Sequence, residues 1–199
     1  PTTIAGDLLT LMSTSKKLCP YLHLPLQSGS DRILSDMDRR YSRQDYMDFV
    51  KKAFTQVPNL GLGTDVLVGF PGEDETAFQE TVSLLKMLSF SYLHVFPYSR
   101  RKGTRVTRTD LSPVPQAVIK TRIKFLCALS ERMRAVFYQA HVGQRVSVLV
   151  EARNAAGVFT GLTGDYVRVG IESTADLSGL LRTVHIDSIQ NGLAMGREV

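Results

Sequence analysis

The sequence predicts an α/β domain with parallel strands, followed by a small all-β barrel. Up to Ala140, helical and strand-like segments alternate, which is the pattern of a parallel sheet wrapped by helices. The strand-like segment 62–70 is apolar on both faces, as buried parallel strands are. After His141, short strand-like runs are separated by Gly, Asn and Asp, and this spacing is typical of a small antiparallel barrel. We therefore expect two domains, 1–140 and 141–199.

Each element of the first domain is predicted from the spacing of its apolar residues and from the residues at its ends. The best-defined boundary is the start of a helix at Ser42, because Asp45 can return a capping-box hydrogen bond to Ser42. The same helix must end before Pro58. In order, the predicted elements are a helix at 4–13, a strand at 21–26, helices at 31–37 and 42–57, a strand at 62–70, a helix at 74–88, a strand at 92–96 and a helix at 113–140.

The last helix and the strands after it complete the predicted fold. The helix carries apolar residues at helical spacing that we expect to face the core, namely Val118, Phe125, Leu129, Met133 and Val136. The predicted strands of the second domain are 142–152, 158–161, 166–171 and 180–189, with Gly164 and Asp165 in a hairpin.

Composition excludes several classes of protein. The chain has 199 residues, 43% hydrophobic and 22% charged, as in globular rather than disordered or collagen-like proteins. No apolar run approaches the roughly 18 residues of a membrane span, and the first residues lack the features of a signal peptide. The two cysteines, Cys19 and Cys127, are expected to be cytosolic thiols. We expect a cytoplasmic protein without a membrane partner and, since the chain has no initiator Met, a piece of a longer one.

Positive charge is concentrated in one segment of the chain. Residues 100–134 hold ten of the 24 Lys and Arg residues but two of the 19 Asp and Glu residues. Such a segment in an otherwise mildly acidic chain indicates a surface that binds a polyanion. An ordinary solvated helix face is the alternative.

Polar residues follow three predicted strands at the ends where parallel α/β proteins bind ligands. The segments are 23–30 (HLPLQSGS), 64–73 (TDVLVGFPGE) and 94–99 (HVFPYS). Their amide and hydroxyl groups suit a sugar hydroxyl or a carboxylate, and their glycines allow a flat ligand to approach closely. The rings of Phe96 and Tyr98 can stack on an adenine-like base. A purely structural role for each segment is the alternative.

Three residues inside the predicted strands need separate interpretation. Asp65 lies in an apolar strand, so its carboxylate must be hydrogen-bonded or face a ligand. His23 and His94 precede apolar residues, and we expect them to be core histidines rather than ligands. Because the Cys and His residues do not have metal-ligand spacing, we predict no metal site in this chain.

Four motifs lie in order along the first domain. They are 22–31 (LHLPLQSGSD), 37–41 (MDRRY), 65–73 (DVLVGFPGE) and 96–99 (FPYS), the last with Gly103 and Thr104 after it. Together they resemble the motifs of the radical S-adenosylmethionine (SAM) methylthiotransferases. The segment 160–169 (TGLTGDYVRV) is similar to the central hairpin of the TRAM domain, the RNA-binding barrel that ends these enzymes. The resemblance implies the second half of a radical SAM partial TIM-like barrel, followed by an OB-like TRAM domain.

One branch of this family is the most similar. The segment 91–99 (SYLHVFPYS) resembles enzymes that modify N6-threonylcarbamoyladenosine at tRNA position 37. We therefore expect a transferase that adds a methylthio group to C2 of that adenine and binds the tRNA anticodon stem-loop. The alternatives are a methylthiotransferase that acts on a ribosomal-protein aspartate and an RNA-binding module without catalysis.

The resemblance also implies cofactors. In this family a 4Fe–4S cluster held by three cysteines cleaves SAM to a radical, and a second cluster supplies sulfur. The three-cysteine motif does not occur here, and Cys19 and Cys127 do not replace it. We expect the clusters to belong to the longer protein and this chain to be inactive alone.

The motifs and the resemblance assign binding roles to two groups of residues. The residues expected to bind SAM are Gln27, Ser28, Asp65, Leu67, Gly69, Phe96 and Tyr98. Those expected to bind RNA are Arg100, Arg101, Lys102, Arg105, Tyr166 and Arg168. Asp165 stands where the family usually has Asn, and this places an acid beside the expected RNA face. No catalytic residue is assigned.

Overall fold

The computed structural model describes residues 7–100, 111–155 and 157–199 and contains a three-stranded parallel sheet and a closed β-barrel. The helices are α1 (Leu8–Thr14), α2 (Asp31–Asp36), α3 (Arg43–Gln56), α4 (Glu75–Met87) and α5 (Gln116–Gln139). The strands are β1 (Tyr21–His23), β2 (Gly61–Val68), β3 (Tyr92–Pro97), β4 (Arg145–Arg153), β5 (Phe159–Thr163), β6 (Arg168–Ile171), β7 (Leu181–Gln190) and β8 (Leu193–Glu198). None of the described helices is both long and apolar enough to cross a membrane.

The parallel sheet has the order β1–β2–β3, and the helices pack on one of its faces. Leu62, Val66 and Val68 of β2 point into the core that the helices cover. The predicted α/β domain with parallel strands is therefore confirmed. β1 is shorter than predicted because the chain leaves the sheet after Leu24, whose N–H still bonds to Gly63, and returns to it at Gln27, which bridges to β2.

The predicted start of α3 is confirmed. The Ser42 hydroxyl accepts the Asp45 N–H at 3.1 Å, and the Asp45 carboxylate accepts the Ser42 N–H at 2.8 Å, which completes the capping box. Tyr46, Val50 and Ala53 bury one face of this helix against the sheet and α1.

The predicted core face of α5 is wrong in part. Leu129 is buried, but Val136 is 74% exposed and Phe125 is 39% exposed. The helix instead buries a stripe that includes Ile119 and Leu126. Two apolar stripes run along this helix, and apolar spacing alone does not tell which of them meets the sheet.

The strands that follow α5 form a closed barrel with the strand order β4–β5–β6–β8–β7. The expected small barrel is therefore present, but its last strand, β8, was not predicted. β8 pairs antiparallel with β7 and parallel with β6, and this parallel pairing closes the barrel. The core consists of small and branched side chains such as Val148, Val169 and Ile186.

The turn between β5 and β6 docks on the end of the parallel sheet where β1 and β2 begin. Tyr166 stacks on Tyr21 with 4.1 Å between ring centroids. A Cβ on Gly61 would lie 2.4 Å from the Asp165 carbonyl oxygen, so only glycine allows this close approach. The closed barrel and the parallel sheet are thus in direct contact through this turn.

Candidate functional site

The face of the parallel sheet that points away from the helices carries much of the predicted site. Because side chains alternate along a strand, every second residue of β2 packs against the helices and the others lie on the opposite face. We call this opposite face the open face. Its side chains are those of Tyr21, His23, Asp65, Leu67, Tyr92, His94 and Phe96.

Asp65 lies between two histidines on the open face. Its Oδ1 is 2.9 Å from Nε2 of His23 and 3.4 Å from Nδ1 of His94. The register explains this contact, since His94 pairs with Asp65, and His23 pairs with Gly63 two residues earlier on β2. A hydrogen-bonded Asp65 was expected and is confirmed. The prediction that both histidines lie in the core is wrong, because their side chains are 31% and 53% exposed.

Aromatic and imidazole rings form a row across the open face. Tyr92 contacts His94 edge-on with 4.7 Å between centroids, and Phe96 lies 5.9 Å beyond His94. On the other side, the Tyr21 hydroxyl donates a 3.1 Å hydrogen bond to the Tyr92 hydroxyl, and Tyr21 stacks on Tyr166. Exposed rings of this kind can stack on nucleobases.

The two polar residues that follow β1 differ in accessibility. Gln27 has a φ of 68°, and its backbone bonds to Asp65 and Leu67 at 2.9 Å each, which leaves its side chain half-buried at the strand end. Ser28 is buried, and its hydroxyl lies 3.4 Å from that of Thr81 on α4. The Ser28 side chain thus holds the turn against α4.

A pocket of about 240 Å³ lies where β2 and β3 end, beside the start of α5. Gly69, Tyr98 and Arg100 line it. Gly69 has a φ of +82°, and a Cβ there would lie 2.4 Å from the Ile119 side chain. The glycine is therefore required by its backbone conformation and by the packing of α5. The Tyr98 ring is held edge-on against Phe70 at 5.3 Å.

A buried ion pair supports the loop after β2. Arg122 belongs to the basic segment expected to bind a polyanion, but it is buried and donates to the Glu73 carboxylate at 3.0 Å. The same carboxylate accepts the Gly69 N–H at 2.6 Å. Burial raises the pKa of Glu73 above its ordinary value, and the bonds from Gly69 and Arg122 oppose that rise. Sequence reasoning missed this pair, and the only signal for it was an acid directly after an apolar loop.

The residues expected to bind RNA are only partly covered by the structure. Arg101, Lys102 and Arg105 lie outside the described residues. Arg100 is exposed beyond the end of β3. Tyr166 is 51% exposed although one side of its ring is covered by Tyr21. Arg168 is exposed and pairs with Glu151 at 3.0 Å.

Asp165 is buried. The prediction that it places an acidic group on the exposed face expected to bind RNA is therefore wrong. The Asp165 side chain accepts a 2.7 Å hydrogen bond from Nε2 of His141, and Thr163 donates to it as well. Burial pushes the pKa of Asp165 upward, but the hydrogen bonds from His141 and Thr163 hold it below its ordinary value. The bond to Asp165 raises the pKa of His141. The pair is a buried link between α5 and the barrel.

The cysteines do not fit an iron–sulfur cluster. Cys19 and Cys127 are both free and exposed. A cubane cluster needs three or four converging thiolates, and the whole chain has two cysteines. The residues of this chain therefore cannot hold such a cluster by themselves.

Comparison with known proteins shows similarity across both domains. Residues 2–85 match the family model described as the Radical SAM superfamily. The chain is 36% identical over 192 residues to a tRNA-2-methylthio-N(6)-dimethylallyladenosine synthase from Acetivibrio thermocellus, covering 96% of this chain and 40% of that protein. It is 38% identical over 179 residues to the threonylcarbamoyladenosine tRNA methylthiotransferase MtaB from Aquifex aeolicus, covering 89% of this chain and 42% of that protein.

A solved structure supports the fold. Coproporphyrinogen III oxidase (HemN) from Escherichia coli, described as a radical SAM enzyme, superposes with a TM-score of 0.56 at 12% identity. The match covers 85% of this chain and 44% of that one. The chain thus spans less than half the length of the relatives described here.

Proposed function

Because the chain is a relative of the radical SAM tRNA methylthiotransferases over almost its whole length, we propose that it supplies one wall of the SAM site and the RNA-binding domain of such an enzyme. The observation that carries this proposal is the open face, where three parallel strands present exposed rings and polar groups on one surface. These groups suit a nucleoside, which offers a flat base and ribose hydroxyls.

The SAM-binding part of the proposal uses residues at the strand ends. Gln27 offers an amide to the ribose or to the amino-acid end of SAM, and Leu67 and Phe96 offer apolar contacts to its adenine. Gly69 and Tyr98 border the pocket at the end of the sheet. SAM, when bound, supplies the radical and the methyl group of the reaction. The clusters that this chemistry requires need cysteines from outside this chain.

The choice of substrate is the finer part of the proposal. We assign the chain to the enzymes that act on N6-threonylcarbamoyladenosine at position 37 of tRNA. The segment 91–99 supports this choice, as does the relative named for threonylcarbamoyladenosine. Relatives named for dimethylallyladenosine match the chain over a similar length, so substrate identity requires direct measurement.

RNA binding is assigned to the closed barrel, as a TRAM domain, and to the basic residues that follow β3. Tyr166 stands at the edge of a cleft of about 420 Å³, which the barrel forms with the segment 16–20. Leu149 and Leu181 line the cleft and are exposed, and Lys16 adds a positive charge. An exposed ring beside apolar and basic groups is suited to an unstacked base of the anticodon stem-loop. We place this activity in the cytoplasm.

The test of the proposal is a nucleoside analysis. The gene that encodes the chain is deleted in its host, total tRNA is digested, and 2-methylthio-N6-threonylcarbamoyladenosine is quantified by mass spectrometry. We expect this nucleoside to disappear and to return when the gene is restored, but not when a copy with Phe96→Ala and Tyr98→Ala is restored.

Other outcomes distinguish the alternatives. If the 2-methylthio-dimethylallyl nucleoside is lost instead, the chain belongs to a tRNA methylthiotransferase, but its substrate is dimethylallyladenosine rather than threonylcarbamoyladenosine. Loss of a methylthio mark on a ribosomal protein, with tRNA unchanged, would reassign the chain to the protein-modifying branch. If no methylthio group is lost anywhere, the chain is an RNA-binding module, in accord with its lack of cluster cysteines.

A further inference from the structure

Three side chains on the open face place metal-binding atoms close together. These atoms are His23 Nε2, Asp65 Oδ1 and His94 Nδ1, and all three lie within 4.8 Å of one another. The residues come from three adjacent parallel strands, so the backbone hydrogen bonds of the sheet hold them in place. A site on strands is positioned more accurately than a site on loops.

The spacing of these atoms suits ligands around one ion. Asp65 Oδ1 is 2.9 Å from one imidazole nitrogen and 3.4 Å from the other. Ligands that each lie about 2.1 Å from a metal are about 3.0–3.4 Å apart when the angle between their bonds is 90° to 109°. Both distances to Asp65 agree with this range. The two imidazole nitrogens are no more than 4.8 Å apart, and rotation of these exposed rings allows one ion beside the carboxylate to contact both.

The surroundings favour a cation. In the described part of the chain, Asp65 pairs with no Lys or Arg, and the two imidazoles are its side-chain partners. The three side chains are 24–53% exposed, so an ion can enter from solvent. Gly63 leaves room for the His23 side chain, since a Cβ added at position 63 would lie 3.1 Å from Nδ1 of His23.

We propose that His23, Asp65 and His94 form a site for one divalent transition-metal ion. Two imidazoles and one carboxylate select ions such as Fe²⁺, Co²⁺, Ni²⁺ or Zn²⁺ over Mg²⁺ or Ca²⁺, which prefer oxygen ligands. Three protein ligands leave at least one coordination position open on the side of the exposed face. The inference does not depend on the proposed function, and it gives Asp65 a role other than direct contact with SAM.

The test uses the untagged 199-residue chain with Co²⁺ as a spectroscopic probe. Metal is first removed with a chelator, and both cysteines are replaced by serine so that thiolates cannot bind the ion. We expect one equivalent of Co²⁺ to bind, with visible d–d absorption that one equivalent of Zn²⁺ abolishes. Asp65→Asn and His94→Gln should each weaken Co²⁺ binding at least 100-fold, and Mg²⁺ should not compete.

The control variant is His185→Ala, which removes an imidazole near Asp187 in the barrel. It should leave Co²⁺ affinity within twofold of the parent. Far-UV circular dichroism verifies that each variant is folded. The proposal is overturned if the folded parent chain binds no stoichiometric Co²⁺, if His185→Ala weakens binding as much as Asp65→Asn does, or if both ligand variants bind as well as the parent. The three residues would then form a hydrogen-bonded cluster only.

Discussion

The His141 imidazole joins the end of α5 to the β5–β6 turn through a 2.7 Å hydrogen bond to Asp165. Its other nitrogen lies 2.9 Å from the Phe137 carbonyl oxygen, so both ring nitrogens face acceptors. An imidazole donates from both nitrogens only when it is protonated. The link between α5 and the barrel is therefore a buried pair of opposite charges, strongest when His141 is a cation and Asp165 an anion.

Stability should depend on pH through this pair. The pKa of His141 is raised by folding, so its contribution is complete below its ordinary value of 6.5 and is lost as the pH rises through the raised value. The pKa of Asp165 is lowered, so its contribution is present above its ordinary value of 3.8 and is lost as the pH falls through the lowered value. The pair therefore stabilises the fold most between pH 3.8 and pH 6.5.

Asp165→Asn should reduce the free energy of unfolding by about 2 kcal/mol at a pH of about 5.5, and by less at a pH of about 8.5. Urea denaturation of the parent and the variant at both pH values measures the difference. Glu151→Gln is the control, since it breaks an exposed pair with Arg168 and should cost less than about 1 kcal/mol at either pH. A loss in Asp165→Asn that is equal at both pH values would contradict the prediction.

Removing Arg122 should destabilise the first domain strongly. Arg122→Met leaves the buried Glu73 carboxylate without its cationic partner, and breaking a buried pair in this way costs about 3–5 kcal/mol. Thermal and urea unfolding measure the loss. Arg132→Met, at an exposed position of the same helix, should cost less than about 0.5 kcal/mol.

A second variant separates loss of the pair from loss of packing. Glu73→Gln combined with Arg122→Met removes both charges and should recover part of the loss, because no unpaired buried charge remains. If the double variant is less stable than Arg122→Met alone, the hydrogen bond from the Gly69 N–H to Glu73 contributes more to the free energy of unfolding than the ion pair does.

The docking of the β5–β6 turn requires glycine at position 61. In Gly61→Ala the new Cβ would lie 2.4 Å from the Asp165 carbonyl oxygen, so the turn must move away. We expect a cost of about 2–3 kcal/mol in unfolding free energy and faster amide hydrogen exchange at 163–166. Gly143→Ala is the control, because its Cβ meets no described atom within 4 Å and only its φ of +84° is unfavourable, which costs about 1–2 kcal/mol. Unchanged exchange at 163–166 in Gly61→Ala would refute the role given to this glycine.

Local signals in the sequence predicted the fold better than the site. The capping box at Ser42 depends only on neighbouring residues, and its prediction is confirmed. The strand β2 is also confirmed, but the prediction that it is buried on both faces is wrong, because Asp65 and Leu67 lie on the partly exposed open face. The sequence indicates that the acids Asp65 and Glu73 need partners, but the identity of those partners depends on which strands and helices become neighbours. A histidine within a short apolar strand points to the core or to the open face according to the register of that strand.

Tyr166 should contribute to RNA binding through its exposed ring. One side of the ring is stacked on Tyr21 and half of the residue remains exposed, so the ring is held in place for a base to stack on it. Tyr166→Ala should weaken binding of the 199-residue chain to an anticodon stem-loop by about tenfold, since one base stack is worth about 1–3 kcal/mol. Fluorescence anisotropy at fixed ionic strength measures the affinity. Tyr166→Phe keeps the ring and is the matched control, which should bind within twofold of the parent. If both variants bind as tightly as the parent, Tyr166 serves only the contact between the domains, and RNA binding must be sought among the basic residues after β3.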